Sequence, residues 1–131
     1  MKELDITQAK ARTIAKKLCK DLDIPLCKIW FIAIDDEETL GWYSSKRCNM
    51  FAYIIIEKKW SRRLILVLHE LAHHVQEELY DYSYPDETPH GKSFSLSKSR
   101  VATWAKNNIS DYWDWEAMLT KYSLGKRTLM K

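Results

Sequence analysis

Three histidines and three glutamates fall inside VLHELAHHVQEEL, residues 67–79, and two of those histidines, His69 and His73, are four positions apart with Glu70 beside the first. Four residues of α-helix advance about 6 Å along the axis and turn only about 40°, so both imidazoles can converge on one metal ion. Such pairs suit zinc, whose nitrogen ligands sit at about 2.0–2.1 Å and whose catalytic sites combine three protein ligands with a water. Glu70 completes the HELAH pattern. Without being a ligand, it can turn toward the water on the metal, where hydrolysis needs a general base. The expected chemistry is hydrolysis with one Zn2+ per chain, the ion lowering the water's pKa to about 7 and polarising a carbonyl.

On a helical wheel with Leu64 at zero, Leu64, Ile65, Leu68, Leu71, Ala72, Val75 and Leu79 fall within a sector of about 120° that must face the core. His69 and His73 lie at its border, at about 140° and 180°, and Glu70 at about 240°. His74 points about 100° further round than His73 and cannot join the pair. It reads as a surface histidine or one that lies behind the site.

A five-residue pattern arises by accident in about one shuffled chain in a hundred of this composition, so a third ligand matters. His90 opens HGKSF, residues 90–94, in the loop after the metal helix, and Gly91 allows a tight turn into the next helix. Such a loop can fold back over the helix end and bring His90 to the pair. Glu87 and Glu116 are the rival third ligands.

A helix with HExxH, preceded by short strands and followed after a loop by HGxxF, resembles the SprT-like zinc metallopeptidase domain within the broader zincin group. The resemblance spans about residues 24–105, and its specific part is His69 to His73 and His90 to Phe94. It implies a zincin-like α+β fold, zinc on His69, His73 and His90, Glu70 as base, and a protein or peptide substrate. It also implies that Phe94 packs the following helix under the loop. In zincins the strand before the metal helix often lines the cleft as an edge on which an extended peptide can add. MFAYIIIE, residues 50–57, holds that place here, and an internal strand with both edges covered is the equal alternative. Tyr82 and Tyr84 could reach an oxyanion or simply pack. No cysteine zinc ribbon follows, so the chain reads as a bare catalytic domain.

These residues need a scaffold. Apolar residues at Ile6, Ala9, Ile14, Ala15 and Leu18 recur at helical spacing, which predicts an amphipathic helix over 6–20 ended near Asp21 to Pro25. CKIWFIAI, residues 27–34, reads as a strand, DDEE at 35–38 as an exposed turn, and WYSSK and MFAYIIIE as two more strands. A small antiparallel or mixed sheet of about three strands follows. Ser61 can cap a long helix from about Arg62 to Tyr80. The segment 81–91, with two prolines and a glycine, reads as a loop. A helix over about 92–107 carries Phe94, Ser97, Val101, Trp104 and Ala105 on one face. Asp111 can cap a last helix with Trp115, Met118, Leu119 and Tyr122, stopped by Gly125, before a basic tail.

A chain of 131 residues is enough for about one domain, taken as 1–131 with the last helix and tail at 111–131. The N-terminus mixes charges every few residues, unlike a signal peptide, and no run approaches the length of a membrane span, so an intracellular protein is expected. Cys19, Cys27 and Cys48 are odd in number and lack CxxC spacing, which argues against a disulfide framework and against a cysteine zinc site. The net charge of +3 is unevenly spread: residues 1–20 carry six basic and two acidic side chains, and residues 121–131 four and none. Solvated faces are the ordinary meaning of such blocks, with a nucleic-acid contact through the basic termini as the alternative.

Overall fold

The computed structural model describes residues 5–34, 40–44, 51–58, 63–80 and 90–109. Along the chain these form α1 (Gln8–Leu22), β1 (Lys28–Ile32), β2 (Gly41–Ser44), β3 (Tyr53–Glu57), α2 (Arg63–Val75), a π-helical turn (Gln76–Tyr80) and α3 (Lys92–Asn108). The class is α+β. The expected turn at 35–38, the Ser61 cap, Tyr82, Tyr84, Glu87, Glu116 and the helix after Asp111 lie outside the described residues.

Thr7 starts α1 by accepting the Lys10 backbone N–H at 3.1 Å, and Asp23 ends it in the left-handed region at φ 55°. Its buried stripe is Ala11, Ile14, Ala15, Leu18 and Cys19. Ala9, expected on that stripe, is exposed, because the packed face is centred one position further along the helix.

The three strands make a mixed sheet in the order β1-β3-β2, with β1 parallel and β2 antiparallel to β3. Parallel neighbours need a long crossover, and residues 33–52, which include β2, provide it. MFAYIIIE is therefore not an edge of the sheet. Its strand, β3, is central, and the run Ile54, Ile55, Ile56 is buried on both faces, as suits an inner strand. Alternation along the strands directs Ile29, Tyr43, Ile54 and Ile56 into the helix-covered core, while Lys28, Trp30, Trp42, Tyr53 and Ile55 take the opposite face.

Helix α1 runs beside β1. Arg12 Nε donates to the Ile29 carbonyl at 3.1 Å and Gln8 Oε1 accepts the Phe31 N–H at 2.6 Å, so two backbone groups turned away from β3 are bonded. The Glu57 carboxylate likewise accepts the Ile34 N–H. At the start of α2, Arg63 grips Asp5 through two nitrogens, at 2.6 and 3.1 Å, with its guanidinium over the Phe31 ring.

Helix α2 is buried on every side from Leu64 to Val75, a wider burial than an amphipathic stripe demands, because β2, β3, α1 and α3 all pack on it. The departure comes at its end. Leu79, expected in the core sector, is 37% exposed, whereas Gln76 and Glu77 are buried. The π turn supplies the reason: its wider winding turns each residue through a smaller angle, and the wheel loses phase after Val75. Among the described residues, no helix is long and apolar enough to cross a membrane.

Candidate metal centre

The buried helix α2 presents His69 and His73 side by side, 2% and 0% exposed, and the chain entering α3 brings exposed His90 against them. Gly91 occupies the N-cap position of α3 in an extended conformation, and Ser95 N–H bonds to its carbonyl at 3.0 Å. His90 therefore sits one residue before a firmly started helix. Its Nε2 lies 3.1 Å from His73 Nε2 and 3.3 Å from His69 Nε2. One ligand atom from each of the three rings falls within a 4.8 Å cluster, close enough to hold a metal ion.

Those separations can be compared with what a cation needs. Two nitrogens at zinc distance, about 2.0–2.1 Å, and at the tetrahedral angle are about 3.4 Å apart. The observed pairs fit that figure. They also suit coordination in their proton arrangement. Gln76 Nε2 donates to Ser93 Oγ at 2.9 Å, which leaves Gln76 Oε1 to accept from His73 Nδ1 at 3.0 Å. With the proton on Nδ1, the lone pair of His73 Nε2 faces its neighbours.

Phe94 closes one side. Its ring stacks on His73 at 4.2 Å between centroids and 26° between planes, and meets His90 edge-on at 4.9 Å and His69 at 5.2 Å. The Phe94 ring thus touches all three imidazoles, and the loop under which it is expected to pack, residues 81–89, lies outside the described residues. Glu70 is 3% exposed, with Oε2 4.0 Å from His69 Nε2, a separation that one water can bridge. Opposite it stands Gly41 of β2. A Cβ there would come within 3.7 Å of Glu70 Cγ and within 3.1 Å of the Ile55 carbonyl oxygen, so a side chain at this position would press β2 and its neighbours apart by a few tenths of an ångström.

His74 is not a surface residue. It is fully buried behind the site, and its Nε2–H donates to the Pro25 carbonyl at 2.7 Å. Its Nδ1 thus accepts from the Tyr43 hydroxyl, at 3.0 Å. Helix α2 is tied in this way to β2 and to the α1–β1 connection. Among the described residues, no cysteine belongs to the cluster. Burial pushes the Cys19 thiol up to about 11 and raises Cys27 well above the ordinary thiol range, so both stay protonated at neutral pH.

Sequence reasoning missed Gln76, Ser93, Tyr43 and Gly41. Gln76 had a signal, since a residue three positions after His73 lies on the same helical face. The other three come from distant segments and had none. Comparison with family models, with curated proteins and with solved structures finds no match, so the centre is judged on its own geometry.

Proposed function

We propose that this chain is a zinc-dependent peptide hydrolase with a zincin-like arrangement, similar to SprT-like domains. The observation that carries the reading is the meeting of the three Nε2 atoms, at 3.1 and 3.3 Å, with the Glu70 carboxylate 4.0 Å from one of them. His69, His73 and His90 would hold the ion. When bound, zinc supplies a Lewis acid that polarises a carbonyl and lowers the pKa of water.

The residues of the chain do the rest. The Glu70 carboxylate takes a proton from the attacking water as its oxygen bonds to the amide carbon. It then returns that proton to the departing nitrogen as the C–N bond breaks. Phe94 and the packing of α2 keep bulk water from this side, and Gly41 holds β2 against Glu70. That strand flanks the carboxylate on the sheet side. His73 keeps its orientation through Gln76 and Ser93.

The decisive experiment measures metal content and cleavage of a denatured protein substrate for the wild type and for Glu70→Gln. Both proteins should carry about one zinc per chain, and only the wild type should cleave, because the substitution removes a base and no ligand. A zinc-loaded wild type that cleaves no peptide bond would reduce the centre to a metal-holding module. A wild type without metal affinity would remove the reading altogether.

A further inference from the structure

On α1 and β1, elements that contribute nothing to the histidine cluster, a cavity of about 350 Å³ opens between Arg12, Lys16, Leu26, Cys27, Lys28 and Trp30. Among the described residues its lining carries three cations and no carboxylate. Arg12 and Lys16 are one helical turn apart, where like charges repel, and Lys28 adds a third charge from the strand. Among the described residues, no ion pair joins any of the three to an acidic side chain. Folding therefore concentrates positive charge around one concavity, a state that an anion relieves.

The guanidinium is also aimed. Arg12 Nε is bonded to the Ile29 carbonyl, which fixes the plane of the group and leaves its terminal nitrogens for a second partner. A planar fork of this kind suits phosphate oxygens. The rest of the lining is apolar. Leu26 is 55% exposed at the rim, Cys27 lies buried at the base, and half-buried Trp30 contributes an indole. Trp30 meets Phe51 at 58° and Tyr53 at 61°, so neither neighbour stacks in parallel on it. The Lys28 ammonium is held over the Phe51 ring at 4.1 Å, inside the same group of rings.

The volume is that of a small-molecule site and exceeds what a bare phosphate fills. An acidic peptide would meet the cations but leave the indole unused. A ligand with a phosphate at one end and a flat aromatic group at the other uses both halves of the lining. We propose that this cavity binds a nucleoside phosphate, free or as one unit of a single strand, with the phosphate on Arg12, Lys16 and Lys28 and the base against Trp30. Aromatic stacking beside a basic groove is the usual chemistry by which proteins take up unpaired nucleotides. Lys20, also exposed and one helical turn beyond Lys16, extends the positive field along this side of α1.

The test titrates the full-length protein at low salt with AMP by calorimetry, and with a labelled oligothymidine by fluorescence anisotropy. Lys16→Glu and Trp30→Leu are compared with the wild type, and a melting curve checks that each is folded. Lys16 makes no hydrogen bond or ion pair to any described residue, so its replacement spares the fold even if Trp30→Leu does not. Binding of either probe that falls about tenfold or more in folded Lys16→Glu, and that steepens with decreasing salt, supports the site. Preference for AMP or for the oligonucleotide then identifies the source of the nucleotide. The proposal is overturned if neither probe binds, if folded Lys16→Glu binds as well as the wild type, or if inorganic phosphate competes as strongly as AMP. Zinc content and peptide cleavage are read separately, so the two proposals can fail independently.

Discussion

The Nε2 atoms of His73 and His90 lie 3.1 Å apart although 17 positions separate the residues, one from the buried middle of the fold and the other from an exposed turn. A contact between two rings, each with a lone pair to place, is stable when a shared cation takes both. The exposed member can be removed with little damage to packing. His90→Ala should melt near the wild-type temperature and lose zinc, its content falling from about one per chain toward zero, since two imidazoles rarely suffice. Metal analysis after dialysis decides it. Undiminished zinc would transfer the third position to Glu87 or Glu116.

Gln76 joins His73 to Ser93, and its loss should be felt by the metal before the fold. In Gln76→Leu the side chain keeps its bulk but can no longer fix the proton on His73 Nδ1. Zinc affinity should drop about 10- to 100-fold, as for other partners of metal-bound histidines. Competition with a fluorescent chelator measures it, and an unchanged affinity would show that Gln76 serves only packing.

Gly41 stands where β2 passes Glu70. Gly41→Ala puts a methyl group 3.1 Å from both the Ile55 carbonyl oxygen and Ile56 Cδ1, and the backbone oxygen has little room to give. A loss of about 1–3 kcal/mol is expected in urea melts. Zinc should remain while kcat falls, because the displaced strand presses on the base and not on a ligand. Equal kcat for both proteins would count against the role of Glu70.

Acid should loosen the join between α1 and α3. The Trp104 indole donates to Asp21 at 2.8 Å, and this bond, followed by the charge of Lys17, holds the Asp21 carboxyl below the usual aspartate range. A lowered folded value means stability present above the unfolded pKa of about 3.9 and lost as the pH falls through the folded value. Asp21→Asn should therefore be less stable than the wild type at neutral pH, and the gap should narrow progressively as the pH falls below about 3.9. Urea midpoints across that range test the sign.

Much of the centre was legible because its signals are local. HELAH places two of the three clustered histidines by helical period alone, and Gly91 marks the turn that returns His90. The strands at β1, β2 and β3 were visible as β-branched and aromatic runs. Their order was not, since nothing in YIIIE says which neighbour it will have, and burial of Ile55 beside Ile54 and Ile56 becomes meaningful only once β3 is central. His74 illustrates the same limit. Its angle on the wheel was right, yet its burial depends on Tyr43 and Pro25, 31 and 49 positions away. Leu79 was misplaced because a π turn leaves no mark in the pattern of apolar residues that a regular wheel can detect.

The bonds from Arg12 and Gln8 to the outer side of β1 have a consequence for how the protein behaves in a crowd. An unbonded strand flank recruits other chains and starts edge-to-edge aggregation. Here a helix from the beginning of the chain acts as the stop that keeps the sheet at its present width on that flank. Truncation through α1 would free the Ile29 carbonyl and the Phe31 amide together, and turn a sealed margin into an adhesive one.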